Sequence, residues 1–439
     1  VFCKHFDGDS IEKERPISDT TDNSDTRVRV TIEKLVTGGD GLGRVGKSGE
    51  PVGHVQLEGQ AKAEEQTQPA GQVVFVSDVV PGDTVEGRVV RRGRGRTVLE
   101  DVTIISPGPG RRRPPCRYVP VCGGCDWQHV EDGTQREWKR RILVENLQRI
   151  GKLSWSEKDI DIVSEEPFGY RSRIRIHRKN GQTGFFKRYS NAIVPIAECL
   201  VATDGINALL RGPRDDFQNG MTVVDTGSDT VRSDRDRTGT MDISGYPFRF
   251  AVGSFSQSNR KILTPLAKLL QEAVRPGRLV DIYAGAGLLA FMVLMGKSSF
   301  SSVLCVESDK RNAEFIRDNL SHVTSEDTAI SVVIDTAERA IRKKNLMRTD
   351  RLTDGGVTTL VLDPPRGGLS SAVRTWLVRA GSVDRSVPDV AYLSCDSAAL
   401  ARDLAALAPR YRIESMTLLD FFPQTSHIET LVILRPHSR

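Results

Sequence analysis

The feature that most limits what this chain can become lies in its C-terminal third. Five short apolar segments, 279–283, 303–307, 330–334, 358–363 and 391–394, alternate with helical stretches that include 308–320 and 397–407. Apolar runs of that length read as strands buried on both faces, and strands alternating with helices close into a parallel sheet. The expected fold class is therefore α/β. The first strand runs into Gly285-Ala-Gly-Leu-Leu-Ala290. Gly285 and Gly287 let backbone approach a ligand at the carboxyl end of a strand. Glu307 ends the next strand, the usual position for an acid that accepts hydrogen bonds from ribose hydroxyls. Taken literally the turn is G-x-G-x-x-A, which a dinucleotide-binding turn also satisfies.

Three more segments reach the same carboxyl edge and tilt the reading from NAD towards S-adenosylmethionine. Asp363-Pro-Pro-Arg366 follows a strand as a stiff loop with little backbone freedom. Tyr392-Leu-Ser-Cys-Asp396 delivers Cys395 from the end of another. Phe421-Phe-Pro-Gln-Thr-Ser-His-Ile-Glu-Thr430 brings His427 and Glu429 together before the last strand. Singly, each has a blander reading: a turn, an inert small hydrophobe, a cap. Their convergence is the informative part.

Upstream the pattern changes. Residues 1–25 are polar and read as a disordered tail. Short alternating strands follow at 28–35, 72–76, 83–90, 97–99 and 102–105, separated by Gly/Asp turns such as 38–43. Five short strands in this space suggest a small closed barrel of the OB type, interrupted by a polar insertion at 47–71. A Pro/Gly/Arg linker leads into a cysteine cluster, a helix at 135–150 and a mixed α+β region broken by a polar loop at 226–240. The domains expected are the tail (1–25), the barrel (26–106), a central domain (107–255) and the α/β domain (256–439).

The net charge of +5 conceals an uneven distribution. Residues 1–26 hold seven acids against three bases, a net of −4, so the rest of the chain carries +9. Nine arginines fall between Glu86 and Arg117 against three acids, and seven Lys/Arg fall between Tyr170 and Ser190 with no acid. Such patches suit a polyanion, and a solvated basic face equally. The longest apolar run, 282–296, is too short to span a bilayer comfortably, and the N-terminal residues contain no apolar signal core. Seven cysteines, an odd number in a large chain, fit a reduced compartment better than a disulfide framework. The expectation is a cytoplasmic protein without a membrane partner. Cys116, Cys122, Cys125 and the distant Cys199 are enough thiolates for tetrahedral zinc or an iron–sulfur cluster, and their spacing does not decide between them. Cys3 and Cys305 are read as non-functional.

Together these segments resemble the RNA uracil-C5 methyltransferase family. The resemblance is carried by Asp281-Ile-Tyr-Ala-Gly-Ala-Gly287, Asp363-Pro-Pro-Arg366, Ser394-Cys-Asp396 with Ala401-Arg-Asp403, the loop from Phe422 to Glu429, and Ser254-Phe-Ser-Gln-Ser-Asn259. The upstream part is similar to the subgroup with an N-terminal TRAM barrel and an iron–sulfur cluster, through the four cysteines, Gly169-Tyr-Arg-Ser-Arg-Ile-Arg-Ile-His177 and Gly184-Phe-Phe186. The chain departs from the family's pattern at Ala284, where cysteine is frequent, and at Leu288, where some members carry a polar residue.

The resemblance implies a Rossmann-like class I methyltransferase domain, a four-iron, four-sulfur cluster on the cysteines, S-adenosylmethionine as cofactor and a monomer. It implies RNA as partner, 23S rRNA before tRNA. Uracil C5 is too poor a nucleophile to take a methyl group unaided, so the site needs a cysteine to add at C6 and a base to remove the C5 proton. The resemblance gives these roles to Cys395 and Glu429. It gives Gln257 and Asp363 to the cofactor amine and the uracil edge, and Tyr283, Glu307 and Asp335 to the methionine, ribose and adenine parts. Three rival readings fit less well. An NAD oxidoreductase leaves the cysteine–glutamate pair unexplained, and so does a non-catalytic RNA-binding or assembly protein. A radical methylthiotransferase would need C-x3-C-x2-C where this chain has C-x5-C-x2-C.

Overall fold

The structure, a computed structural model, describes residues 26–45, 71–92, 96–213, 216–295, 300–342, 358–379 and 387–437. The expected tail, nearly all of the 47–71 insertion and Cys3 lie outside these residues. The described chain divides into two compact units, one of residues up to Trp138 plus Gln424–Ser426, the other of Lys139–Pro423 and His427 onward.

The first unit contains a closed five-stranded barrel: β1 (Arg27–Leu35), β2 (Gly41–Val45), β3 (Gln72–Val76), β4 (Thr84–Arg92) and β5 (Arg96–Ser106), in the order β1-β2-β3-β5-β4. Val28, Val30 and Ile32 on β1 alternate inward and pack with Val74, Val76, Val85 and Leu99. Two expectations are corrected here. The glycine-rich stretch read as a turn contains β2, because Gly41 and Gly43 sit where strands crowd. A Cβ at these positions would lie 2.3 Å from Val79 Cγ2 and 2.6 Å from Val30 Cγ2 respectively. The two strands expected at 97–99 and 102–105 are one strand, β5. Its register against β4 shifts between Glu86 and Arg88, a bulge beside Asp101, whose φ is 52°. At the barrel's end the fully buried Asp83 accepts from Val80 N at 2.6 Å, Gly108 N at 2.8 Å and Arg111 Nε at 2.9 Å.

Helix α1 (Asp132–Arg149) begins three residues before the expected start. In the second unit, β6 (Asp161–Val163) precedes β7 (Arg173–Lys179), β8 (Gln182–Phe186), β9 (Ile193–Pro195), helix α2 (Asp204–Arg211), β10 (Met221–Asp225) and β11 (Thr230–Arg232). Strands β7–β11 form an antiparallel sheet in the order β11-β10-β7-β8-β9. The loop expected at 226–240 is only partly loop. It holds β11 and the first residues of β12 (Thr238–Ile243), which pairs with β13 (Tyr246–Ala251) as a hairpin.

The α/β portion follows as α3 (Leu263–Ala273), β14 (Gly277–Ile282), α4 (Leu288–Leu294), β15 (Phe300–Glu307), α5 (Lys310–Ser321), β16 (Ala329–Ile334) and α6 (Ala337–Arg342). It continues with β17 (Thr358–Leu362), α7 (Ser371–Arg379), β18 (Asp389–Ser394), α8 (Ser397–Leu407), β19 (Tyr411–Leu419) and β20 (Glu429–Pro436). All five expected strands are present within this order. The sheet has eight strands, β16-β15-β14-β17-β18-β20-β19-β6. Strands β14 to β18 are parallel, and β20 enters antiparallel between β18 and β19. Strand order reverses at β14, flanked by β15 and β17, and such a switch point opens a crevice at the carboxyl ends of the strands. No helix among the described residues is long and apolar enough to cross a membrane.

Candidate active site

The crevice is a cleft of about 620 Å³, counting space open to solvent. Register explains which residues reach it. Ile282 is level with Val306 on β15 and Leu362 on β17, so the next residues, Tyr283, Glu307 and Asp363, leave three adjacent strands at one height. All three line the cleft, with Gln257 and Gly285. Tyr283, Gly285 and Gly287 have φ of 71°, 57° and 87°, so the turn between β14 and α4 is a left-handed excursion that glycine accommodates without strain. Glu307 fastens this turn, accepting from Gly285 N at 2.8 Å and from Asp309 N at 2.6 Å. Asp335, one step beyond β16, is outside the cleft lining, and so is Gly287, which caps α4.

Beneath the turn lies Asp281, fully buried. One carboxyl oxygen accepts from Ala290 N at 3.1 Å and the other has no partner. Burial raises its pKa to about 8. Burial likewise raises Asp363 to about 7.

The second cluster is built on the antiparallel ladder. Ser394 on β18 pairs with Thr430 on β20 as the last rung of that ladder, so Cys395 leaves β18 and Glu429 opens β20 at the same end of it. Cys395 is partly buried, and Glu429 is 8% exposed. Burial drives the Glu429 carboxyl well above its ordinary value and the nearby Asp363 adds to this, while Arg366 offsets part of it. Cys395 immediately precedes Asp396, whose side chain caps α8 by accepting from Ala399 N at 2.7 Å. A helix N-terminus stabilises a thiolate over a thiol. His427 packs edge-on to Phe422 with centroids 5.7 Å apart. Burial, then Arg366, Lys139 and Arg171, lower its pKa to about 3, so the ring is neutral at pH 7.

Several buried polar groups hold these pieces. Asp403 on α8, fully buried, accepts from Leu369 N at 2.7 Å, Tyr392 OH at 2.9 Å and Arg374 Nη1 at 2.8 Å. Arg402 adds a bond to Gly367 O at 2.7 Å. The turn after Asp363 is thereby tied to the helix that follows Cys395. Gly368 is required there, since a Cβ would lie 2.4 Å from Asp403 Oδ2. Lys139 Nζ, fully buried, donates to Asp420 Oδ1 at 2.7 Å and Phe422 O at 2.9 Å, steadying the segment ahead of Glu429.

Sequence reasoning missed part of the cleft wall: Met241, Phe248 and Phe250 from the β12–β13 hairpin, and Ser256 and Asn312. The signal for Asn312 was an amide on the buried face of α5, in helical phase with Ile316 and Asn319.

The expected iron–sulfur site is not borne out as an assembled ligand set. Among the described residues no group of three or more His, Cys, Asp or Glu is arranged to hold a metal ion. Cys116, Cys122 and Cys125 belong to one unit and Cys199 to the other. None of the four is in a disulfide. Hydrogen bonds to protein groups shape their loops: Cys116 N donates to Gln128 Oε1 (3.1 Å), Cys122 N to Tyr118 O (2.7 Å) and Cys199 N to Asn207 Oδ1 (2.8 Å).

Known proteins resemble the chain in the same terms. Residues 236–437 match the tRNA (uracil-5-)-methyltransferase family. A protein from Streptomyces coelicolor named as an uncharacterised RNA methyltransferase is 29% identical, over 84% of this chain and 89% of its own. One of the same description from Bdellovibrio bacteriovorus is 26% identical, over 94% and 96%. The crystal structure of Pyrococcus abyssi tRNA (uracil-54, C5)-methyltransferase in complex with S-adenosyl-L-homocysteine shares the fold, with a TM-score of 0.64 and 21% identity over 93% of this chain and all of that one. Residues 236–437 thus share the pattern of the tRNA (uracil-5-)-methyltransferase family, and most of the chain is similar to proteins named as RNA methyltransferases.

Proposed function

We propose that the protein methylates C5 of a uridine in structured RNA through a covalent adduct at Cys395. The observation that carries this reading is that Cys395 and Glu429 flank the same last rung of the β18–β20 ladder, Ser394–Thr430, with Asp363 near Glu429. S-adenosylmethionine, when bound, supplies an electrophilic methyl group on its sulfonium. The unpartnered polar atoms of Ser256 and Asn312 and the acids Glu307 and Asp363 in the cleft wall suit a ligand of that mixed polarity.

The thiolate of Cys395 forms a bond to uracil C6, and the C5–C6 electron pair moves into an enolate. C5 takes the methyl group as the carbon–sulfur bond of the donor breaks. The Glu429 carboxylate then accepts the C5 proton. The C–H electrons restore the C5–C6 double bond, the C6–sulfur bond breaks, and the thiolate returns. A base with a raised pKa suits this proton abstraction near neutral pH. Asp363 and Gln257 hold the cofactor amine and the uracil edge, and Tyr283, Glu307 and Asp335 serve its methionine, ribose and adenine parts. The uridine must leave its stack to reach Cys395.

For the RNA itself, the resemblance to the barrel-bearing subgroup favours 23S rRNA, and the barrel is then a TRAM domain. The P. abyssi protein, a tRNA (uracil-54, C5)-methyltransferase, favours tRNA. No step is routed through an iron–sulfur cluster; iron and acid-labile sulfide assays on anaerobically purified protein test for one. The test of the mechanism is 5-fluorouracil-substituted RNA with S-adenosylmethionine. Fluorine cannot leave as a proton does, so a covalent protein–RNA adduct should accumulate. No adduct with wild type, or an undiminished one with Cys395→Ala, sinks the mechanism.

A further inference from the structure

Two side chains in the cleft wall have hydrogen-bonding groups with nothing to bond. Asn312, on the first turn of α5, is fully buried, and both its Nδ2 and its Oδ1 lack a partner. Ser256, 7% exposed, has an unpartnered hydroxyl. Asn319, two turns along the same helix face, shows what this fold does when an amide serves packing. It accepts from Arg249 N at 2.8 Å and donates to Arg249 O and Ala286 O, each at 2.9 Å. Leaving a buried polar group unsatisfied costs about 1–3 kcal/mol, so the atoms of Asn312 and Ser256 await a ligand.

Their surroundings select its chemistry. Both line the cleft with Met241, Phe248, Phe250, Leu263 and Leu289, whose side chains offer no polar alternative. The acids of the cleft, Glu307 and Asp363, attract the cations and hydroxyls of a ligand and repel an anion. An amino-acid moiety carries both an ammonium and a carboxylate, so its carboxylate needs N–H or O–H donors that bring no negative charge. Asn312 Nδ2 and Ser256 Oγ are such donors, and Asn312 stands at the positive end of a twelve-residue helix.

We propose that Ser256 and Asn312 form the subsite for the α-carboxylate of the cofactor's amino-acid portion, with Asn312 Oδ1 left to accept from the neighbouring ammonium. The proposal rests on the S-adenosyl reading above.

Calorimetric titration separates the two. S-adenosylhomocysteine carries the carboxylate, and 5′-methylthioadenosine keeps the adenosine and thioether without it. Asn312→Leu is expected to weaken S-adenosylhomocysteine about tenfold or more, the equivalent of one lost hydrogen bond to a charged group. Ser256→Ala should weaken it about threefold or more, and both variants should bind methylthioadenosine as wild type does. Asn312→Ala keeps the test open if leucine is not accommodated. Asn312→Asp should be the weakest binder of S-adenosylhomocysteine, because it sets an anion against the carboxylate. Equal losses for both ligands, or no loss for either, overturn the subsite. A wild-type protein that binds neither ligand overturns the S-adenosyl reading as well.

Discussion

Asp83 in the barrel and Asp281 in the large sheet are both fully buried, and the protein treats them in opposite ways. Asp83 receives two backbone N–H groups and the Arg111 guanidinium, whose Nη2 approaches to 2.5 Å. Asp281 receives one backbone N–H, and its second oxygen has no partner. Asp363 and Glu429, at the same sheet edge, follow Asp281 in holding protons more tightly than ordinary carboxyls. An acid fully matched by donors serves as a joint. An acid buried without such matching keeps a proton within reach of neutral pH, which lets it act on a substrate. The barrel side of the comparison is architecture, and the sheet edge is chemistry.

The comparison is tested most severely by Cys395→Ala. The kcat should fall by about 10⁴-fold or more, as removal of a covalent nucleophile does, with the melting temperature near that of wild type. Glu429→Gln should slow product formation by about 10²–10⁴-fold, the range for a general base, while methylated covalent complex with ordinary RNA accumulates on denaturing gels. Free product at the wild-type rate would remove Glu429 from the role of base. For wild type, kcat/KM should rise with pH through about 7, where Asp363 releases its proton, and Glu429, raised well above its ordinary value by burial, should extend the rise. A flat profile from pH 6 to 8 contradicts that.

Arg111→Ala leaves the Asp83 charge buried with its cation removed. Urea unfolding should show a loss of about 3–5 kcal/mol, with affinity for S-adenosylhomocysteine unchanged. Asp281 gives the opposite signature. Folded Asp281 keeps its proton to about pH 8, whereas the unfolded group releases it near 3.8. The native state therefore binds more protons across that window, and stability declines as pH rises through it. Asp281→Asn should remove on the order of 2–4 kcal/mol of this decline between pH 5 and 8; unchanged pH dependence would count against a protonated Asp281. The smallest effect is expected on the barrel's outer face. Arg29→Ala breaks an exposed pair with Glu86 (3.3 Å) and should change stability by less than about 1 kcal/mol.

How much of this was legible in the sequence depended on whether a residue's job is local. The parallel sheet was readable because its strands are buried on both faces and therefore carry apolar runs, as Val390–Leu393 does within a strand buried throughout. Cys395, Asp363 and Glu429 were readable because each lies next to a strand end within a distinctive motif. Strand β2 was not, since close packing around Gly41 and Gly43 calls for the same residue as a turn. Strand β11 was hidden because an edge strand of three residues, Thr230–Arg232, buries too little to show an apolar pattern. Ser256 and Asn312 escaped notice because an unsatisfied polar atom is defined by what surrounds it in space. The iron–sulfur expectation rested on the resemblance to a subgroup, and among the described residues no group is arranged to hold a metal ion.

The antiparallel entry of β20 beside β18 has a consequence for how this site tolerates change. The proposed nucleophile and base, Cys395 and Glu429, flank the last rung of that ladder, Ser394–Thr430, so their spacing depends on its register. The segment between Leu419 and Glu429 is held as well: Asp420 and Phe421 are buried, and Lys139, Asn259 and Tyr170 donate to Asp420, Phe421 O and Pro423 O. A slip of one rung within β20 would turn Glu429 to the opposite face of the sheet, away from the site. The proposed geometry is thus exposed to misregistration, so a single added residue inside β20 should abolish methylation.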